Sequence, residues 1–504
     1  MKKPLSYYYN ATYFLPAVIV LTLLFLYSLF GRIPDIDDAW IGEYAYWFAK
    51  DGYVHSELMR GVNSQEIKFV VHHKLFNFNG ALFIKLFGFS SYSLKAVSLL
   101  YFIIFLWLLY FYTRKWKKIF NKNDFLLSLI IVFSFPWVFK YAFLYRPELM
   151  MMTLGFAGFI LLEKYMDTLK GKKWLLFLAG ILFGLSVVTH LNGLILAAAG
   201  FFLLVVNKRY FAVVIYGAGV LIASSLYFYD LTDISAIALW RHQFFESPSL
   251  DSLQGGAAWL KPIVNLLNEH MRYFHNLKII VFSVFLISTV VTGYGYLVKN
   301  HTRLVQFAIL VAIITGVIAM HKARQYFLLN FPYLLLLIVL TIKALHEGKI
   351  STFKIGNRKQ IGRLIFALCI IFIATSTYYN IALAVQKFSP GQNRELTLKY
   401  ANNNASKMKI VAPMTFIFNE IEVYDQIQGE LCYTELQKLD TTIYDQGFLK
   451  YANDFDRDLI MVSPIYQKAL GISAYQEGDE FEHYYVLDKT EDLIVFKRKT
   501  VNSY

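Results

Sequence analysis

The stretch 14–30 is apolar from end to end and carries no charge, and ten further apolar runs follow it along the chain. A helix crosses the hydrocarbon of a bilayer in roughly 20 residues, and somewhat shorter runs are tolerated. That rule predicts about eleven spans, at 14–30, 94–112, 125–139, 149–162, 174–188, 191–206, 210–229, 277–298, 304–320, 326–345 and 364–385. The runs are continuous and do not alternate, which selects helices over the strands of a barrel. The chain therefore reads as a polytopic α-helical membrane protein. Composition agrees, because 57% of its 504 residues are hydrophobic and 18% aromatic, more than a soluble chain of this length carries.

The formal charge of +14 would, taken alone, suit nucleic acid, but its placement excludes that partner. Lysine and arginine gather in short segments between the apolar runs: TRKWKKIFNK (113–122), LKGKK (169–173), NKR (207–209), KNHTR (299–303) and FKIGNRKQIGR (353–363). All five fall on the side of the N-terminus, which the positive-inside rule makes cytoplasmic. An odd number of spans then leaves the tail after Val385 outside a plasma (inner) membrane. Met-Lys-Lys ahead of 14–30 resembles the start of a signal peptide. The run is longer than a usual h-region, however, and SLFGRIP offers no small-residue cleavage site, so it reads as a retained first span. The two cysteines, Cys369 in an apolar run and Cys432 in the polar tail, fall in different phases and frame neither a disulfide nor a metal site.

Residues 1–385 form the membrane module in this reading, with long outer loops at 31–93 and 230–276. Residues 386–504 lose the apolar runs. They mix β-rich pieces (MKIVAP, RDLIMVSP, YYVLDKTEDLIVFKRK) with helical ones, as a small extracytoplasmic α/β domain would.

The first outer loop opens on IPDIDDAWIGEYAYWFAKDGY, which sets carboxylates among aromatics at the lipid surface. From Asp37 to about Lys50 the spacing predicts a helix that stops at Gly52 as a C′ glycine would. Ile41, Tyr44 and Phe48, with Trp40 and Trp47, make one face aromatic, and such a helix lies in the interface with that face inward. At about 100° per residue Asp37 shares the azimuth of Tyr44, while Asp38 and Glu43 fall on the flanks. Asp37 is thus expected to point into the protein, where burial raises a carboxylate's pKa and suits it to general-base work. The structural alternative is that Asp37 only caps the helix.

These residues resemble the type C membrane glycosyltransferases, in particular the protein-mannosyltransferase and aminoarabinose-transferase families and their bacterial relatives. Asp37-Asp38, Glu43 and Gly52 match in order. VVHHKLFNFNGALFIKLFGFSSYSLKAVS is similar to the family's His/Lys-Pro-Pro-Leu … Leu-Phe-Gly … Arg stretch, with Gly88 at the glycine and Lys95 where arginine is usual. YRPE (with Arg146), GLSVVTHLNG (with His190) and RQYFLLNFPY (Arg324, Tyr326) match further segments, so the resemblance covers about 14–345. The Pro-Pro is absent here, and His190 replaces a common lysine.

The resemblance implies transfer of a sugar from a polyprenyl-phosphate donor to a lipid, glycan or protein acceptor on the outer face, with inversion and with Asp37 as base. Asp38 and Glu43 would orient the acceptor or tune that base. Cations must gather the charge of the phosphate leaving group. The candidates are His72, His73, Lys74, Arg146, His190, Lys322 and Arg324, with Tyr326 beside the last. Arg324, Lys74 and His190 are expected to converge on one cavity near Asp37, although a snorkelling arginine at a helix end is as ordinary as a ligand. No cofactor is required. Glu43, His72 and Asp38 have the chemistry to share a divalent cation, but their spacing is not diagnostic. A lipid or sugar transporter or flippase would show inverted repeats and ionisable residues within its spans, and neither is visible. A lipid-linked polysaccharide polymerase or ligase shares the substrate class and stays open as an alternative.

Overall fold

Asn10 begins the first helix, its side chain accepting the Thr12 N–H at 3.3 Å, and α1 (Ala11–Gly31) follows. The computed structural model describes residues 9–168, 172–246, 260–319, 324–350, 358–389, 391–439 and 447–499. After α1 come α2 (Ile36–Asp51) and α3 (Lys74–Phe87) in the first long loop. Then α4 (Ser91–Tyr110) runs into a π-helical turn, Phe111–Trp116. The bundle continues with α5 (Lys122–Ser134), α6 (Pro136–Tyr141), α7 (Glu148–Met166), α8 (Lys173–Thr189), α9 (Leu194–Val206) and α10 (Tyr210–Ser225). The second long loop holds α11 (Ile234–Phe245), α12 (Lys261–Leu267) and α13 (His270–Phe274). The helices α14 (Leu277–Asn300), α15 (Thr302–Ile318), α16 (Phe327–His346) and α17 (Arg358–Ala384) close the bundle.

Among the described residues seven helices are long and apolar enough to cross a membrane: Ala11–Gly31, Ser91–Trp116, Glu148–Met166, Tyr210–Phe228, Leu277–Asn300, Arg324–His346 and Gln360–Ala384. Three shorter apolar helices, Lys173–Thr189, Leu191–Val206 and Thr302–Ile318, stand at three more of the expected positions. The remaining expected span, 125–139, is two helices. Pro136 drives Phe135 into extended backbone (φ −65°, ψ 116°) and breaks it there. The chain is thus a multi-pass membrane protein. At its centre α16 is buried along almost its whole length, with Phe331 stacked on Phe135 at 4.6 Å.

Ion pairs join segments at one end of the bundle. Lys117 meets Asp167 at 2.7 Å, and Arg303 meets the same carboxylate at 2.8 Å. The two long loops and the tail meet at the other end. Asn63 donates to the Glu246 carbonyl, and Gln243 accepts from the Val70 N–H.

The tail is a small α/β domain with, among the described residues, five strands: β1 (Lys409–Ala412), β2 (Gln426–Gly429), β3 (Leu459–Val462), β4 (Tyr484–Lys489) and β5 (Ile494–Arg498). Their order is β2-β1-β3-β5-β4, parallel among the first three and antiparallel from β3 through β5 to β4. Its docking on the first loop is specific. The Gly429 N–H donates to the Leu58 carbonyl at 2.9 Å, Tyr46 donates to Glu422 at 2.6 Å, and Phe418 stacks on Phe89 at 5.7 Å. Cys369 and Cys432 are both buried as free thiols.

Candidate active site

Helix α2 starts one residue earlier than its pattern predicts, and Asp35, not Asp37, is its cap. The Asp35 side chain receives the backbone N–H of Asp38, and Asp38 reaches back to the Asp35 N–H at 2.7 Å, closing a capping box. At the other end Gly52 takes φ +80°, where a side chain would be strained, and its N–H bonds the Phe48 carbonyl at 3.2 Å. Between these stops the helix does not present one inward face. Ala39, Ile41, Gly42, Glu43, Tyr44, Ala45 and Tyr46 are all buried, because α3 packs on one side and the tail domain on another.

This wrapping reverses the expected placement of the carboxylates. Asp38 is fully buried. Its second oxygen receives the Tyr145 N–H, and Lys95 stands 4.0 Å away. Burial pushes its pKa up to about 6 against the pull of Lys95. Glu43 is buried too, and donors surround it: Trp47 Nε1 at 3.0 Å, the Ser56 hydroxyl, and the N–H groups of Glu57 and Leu58 at 2.7 and 3.1 Å. Burial still outweighs them and lifts its pKa to about 7. Both groups are fastened inside the protein and hold the loop together; neither is open to an acceptor. Asp37 was expected inside, yet its side chain is 30% exposed and is paired with Arg146.

Arg146 is the hub. Glu148, 1% exposed, grips it along its Nε edge, with Nη2–Oε1 at 2.9 Å and Nε–Oε2 at 3.2 Å. The guanidinium lies over the Tyr141 ring at 5.6 Å. Burial works against its charge, and the Glu148 carboxylate overcomes that penalty, so its pKa stands above the ordinary arginine value. Beside it, His190 accepts the Asn192 N–H on Nδ1 at 3.0 Å. Burial, helped by His73 and Arg146, holds its pKa well below the usual histidine range. A neutral ring that accepts on Nδ1 carries its proton on Nε2, and that proton faces the Tyr326 oxygen at 3.1 Å. The Tyr326 hydroxyl hydrogen is thereby left to donate elsewhere. His73 stacks on His190 at 4.5 Å, and burial lowers its pKa to about 4.

The other candidates lie apart from this hub. Lys74 pairs with Asp230 from the second loop, and His72 approaches the same carboxylate at 3.7 Å while Asn77 takes its Nδ1. Burial brings the Lys74 pKa down to about 8 and that of His72 to about 3. The histidines therefore offer hydrogen bonds rather than charge. Arg324 is exposed, and its charge adds to the burial that lowers the His275 pKa. Lys322 lies outside the described residues. Of the trio expected to converge, only His190 is in the Arg146 cluster. Glu43, His72 and Asp38 are engaged in separate networks, and among the described residues no three His, Cys, Asp or Glu side chains are grouped to hold a metal.

Glu148 was absent from the predicted set, although its spacing of two from Arg146 in YRPE was a legible hint. Asp230 could not be found that way, since 156 residues separate it from Lys74.

A helical bundle of this topology, with two long loops and an α/β domain gathered over one end, is the fold of the type C membrane glycosyltransferases. Residues 74–228 match the family described as dolichyl-phosphate-mannose-protein mannosyltransferase. Among solved structures, the chain is similar to ArnT from Cupriavidus metallidurans bound to undecaprenyl phosphate, at TM-score 0.61 and 11% identity, covering 98% of this chain and 99% of that one. It is also similar to the Archaeoglobus fulgidus oligosaccharyltransferase tethered to an acceptor peptide, at TM-score 0.57 and 10% identity, with 98% and 74% covered. The mycobacterial arabinofuranosyltransferase AftD aligns at TM-score 0.51 and 11% identity over 97% of this chain and 40% of its own. No curated protein sequence matches the chain.

Proposed function

We propose that the protein is a membrane glycosyltransferase. It moves a sugar from a polyprenyl-phosphate donor to the hydroxyl of a lipid, glycan or protein acceptor on the outer face of the membrane, with Asp37 as general base. The observation that carries this reading is the pairing of Asp37 with Arg146. A part-exposed carboxylate and a buried-edge cation stand side by side at the end of the bundle, as a displacement at a sugar phosphate requires. The match to a phosphate-linked mannosyltransferase family and the undecaprenyl phosphate in the ArnT structure support the donor class.

In the reaction Asp37 takes the acceptor's proton, the freed oxygen attacks the anomeric carbon, and the bond from that carbon to the phosphate oxygen breaks. The sugar's configuration inverts in a single displacement. The polyprenyl phosphate leaves with an added negative charge. Arg146 receives that charge, and the Tyr326 hydroxyl, held by His190 with its hydrogen free, supplies a neutral donor. Lys74, tied to Asp230, and Arg324, exposed near His275, are not assigned to the leaving group.

The test uses purified protein in liposomes with a labelled polyprenyl-phosphate sugar. Asp37→Asn keeps the size of the side chain and removes its basicity, so transfer is expected to fall by roughly two or more orders of magnitude while donor binding persists. Near wild-type transfer by Asp37→Asn, with loss in Asp35→Asn, would move the base to the capping residue. Near wild-type transfer by both would end the mechanism.

A further inference from the structure

We infer that Asp37 and the donor's phosphate compete for Arg146, and that Glu148 is the positioning residue that keeps the guanidinium at that junction. The inference rests on the proposed function for the identity of the phosphate and on the geometry for everything else.

A guanidinium has two usable edges and five N–H donors. Glu148 occupies the Nε edge with a buried carboxylate, so that edge is closed. Asp37 occupies Nη1 from the side that remains 30% exposed. A phosphate that approaches Arg146 therefore meets Asp37 and not Glu148. The neutral groups beside Arg146 are Tyr326, whose hydroxyl hydrogen is free to donate, and His190, whose one N–H is spent on Tyr326, and neither carries a charge to hold a phosphate. Arg146 is the cation the phosphate must win.

This competition has a chemical use. An arginine partner stabilises the charged form of a carboxylate and so weakens it as a base. When the phosphate takes Arg146, Asp37 loses that partner and gains an anionic neighbour, and both changes strengthen its hold on a proton. The base is thus weak in the empty protein and becomes strong once the donor is seated. Donor then binds before acceptor, and an acceptor hydroxyl that arrives early meets a carboxylate already engaged.

The experiment measures binding and not turnover, so its failure is separable from failure of the transferase reading. The probe is a polyprenyl phosphate without sugar, titrated into the full-length protein in nanodiscs. Asp37→Asn is expected to bind it about three- to tenfold more tightly than wild type at neutral pH, since the competing carboxylate is gone. As pH falls and Asp37 protonates, wild-type affinity should approach that of the variant. The phosphate's own second ionisation acts on both and cancels in their ratio. Asp37→Ser, at a part-exposed site that tolerates a smaller side chain, gives the same comparison if the asparagine variant misfolds. Glu148→Gln should weaken binding and flatten the pH dependence of the ratio, whereas a purely structural Glu148 would change thermal stability and leave the profile in place. Equal or weaker binding by Asp37→Asn and Asp37→Ser, or a ratio independent of pH, overturns the inference.

Discussion

Glu43 shows how one side chain's surroundings set its work. Its two oxygens take an indole N–H, a hydroxyl and two backbone N–H groups, and so tie α2 to the turn segment 56–58. That segment in turn offers the Leu58 carbonyl to Gly429 of the tail. Burial lifts the Glu43 pKa from 4.5 to about 7, so the folded protein holds this proton across a range in which the unfolded chain releases it. Stability from this group is therefore full below about 4.5 and declines as pH rises to about 7. Glu43→Gln removes the titration. The difference in melting temperature between wild type and variant should shift against wild type as pH is raised through that window, and a constant difference across it would contradict the assignment. At this scale the sequence showed which residues were acidic and in what order, but not which were covered. Asp37 and Tyr44 lie seven residues apart on α2, yet Tyr44 is buried and Asp37 is part-exposed. The inference from azimuth to burial failed because a helix wrapped on several sides has no single inner face, and the cover comes from a domain more than 350 residues away in the chain.

Helices α8 and α10 meet along glycines that allow backbone to touch backbone. A Cβ on Gly180 would stand 2.2 Å from the Tyr216 carbonyl oxygen, and one on Gly219 would stand 2.4 Å from that of Phe177. Neither neighbour can yield, because both are main chain in regular helix. Close approach of small residues is what holds helices together where lipid supplies no hydrophobic drive. Gly180→Ala is expected to destabilise the protein by about 1–3 kcal/mol as overpacking does. Gly217→Ala, whose Cβ would meet nothing within 4 Å, should be neutral. Thermal unfolding in detergent distinguishes the two, and equal melting temperatures would refute the packing account. The positions of the helices were legible at this scale because apolar run length is a direct physical requirement of the bilayer. Breaks within runs were less so. Pro136 splits the 125–139 run, yet an apolar run that continues through a proline still looks like a single span by hydropathy.

Across the whole molecule the proposed chemistry is divided between two bodies. The groups proposed to meet the phosphate, Arg146 and Tyr326, and His190 beside them, belong to the ends of the membrane helices or the turns between them. Asp37 belongs to α2, which is clamped between α3 and the tail domain through Tyr46–Glu422, Phe89–Phe418 and Leu58–Gly429. The α/β pattern of that domain was legible from alternating strands, but its docking was not, since register between distant segments leaves no local periodicity. The division predicts how the two bodies separate in function. Phe418 is 1% exposed at the seam, and truncating such a ring costs about 3–5 kcal/mol locally. Phe418→Ala should therefore loosen the tail and let α2 shift, without touching the phosphate groups. A displacement of about 1 Å in a catalytic group can cost two orders of magnitude in rate. The transfer rate at saturating donor should fall at least tenfold by this argument, while affinity for a polyprenyl phosphate stays within a factor of about two of wild type or rises as Asp37 leaves Arg146. The tail itself carries no part of the chemistry in this reading, so the loss should appear in the transfer step. A fall in donor affinity that matches the fall in rate would show that the phosphate site also leans on the tail and would undo the division.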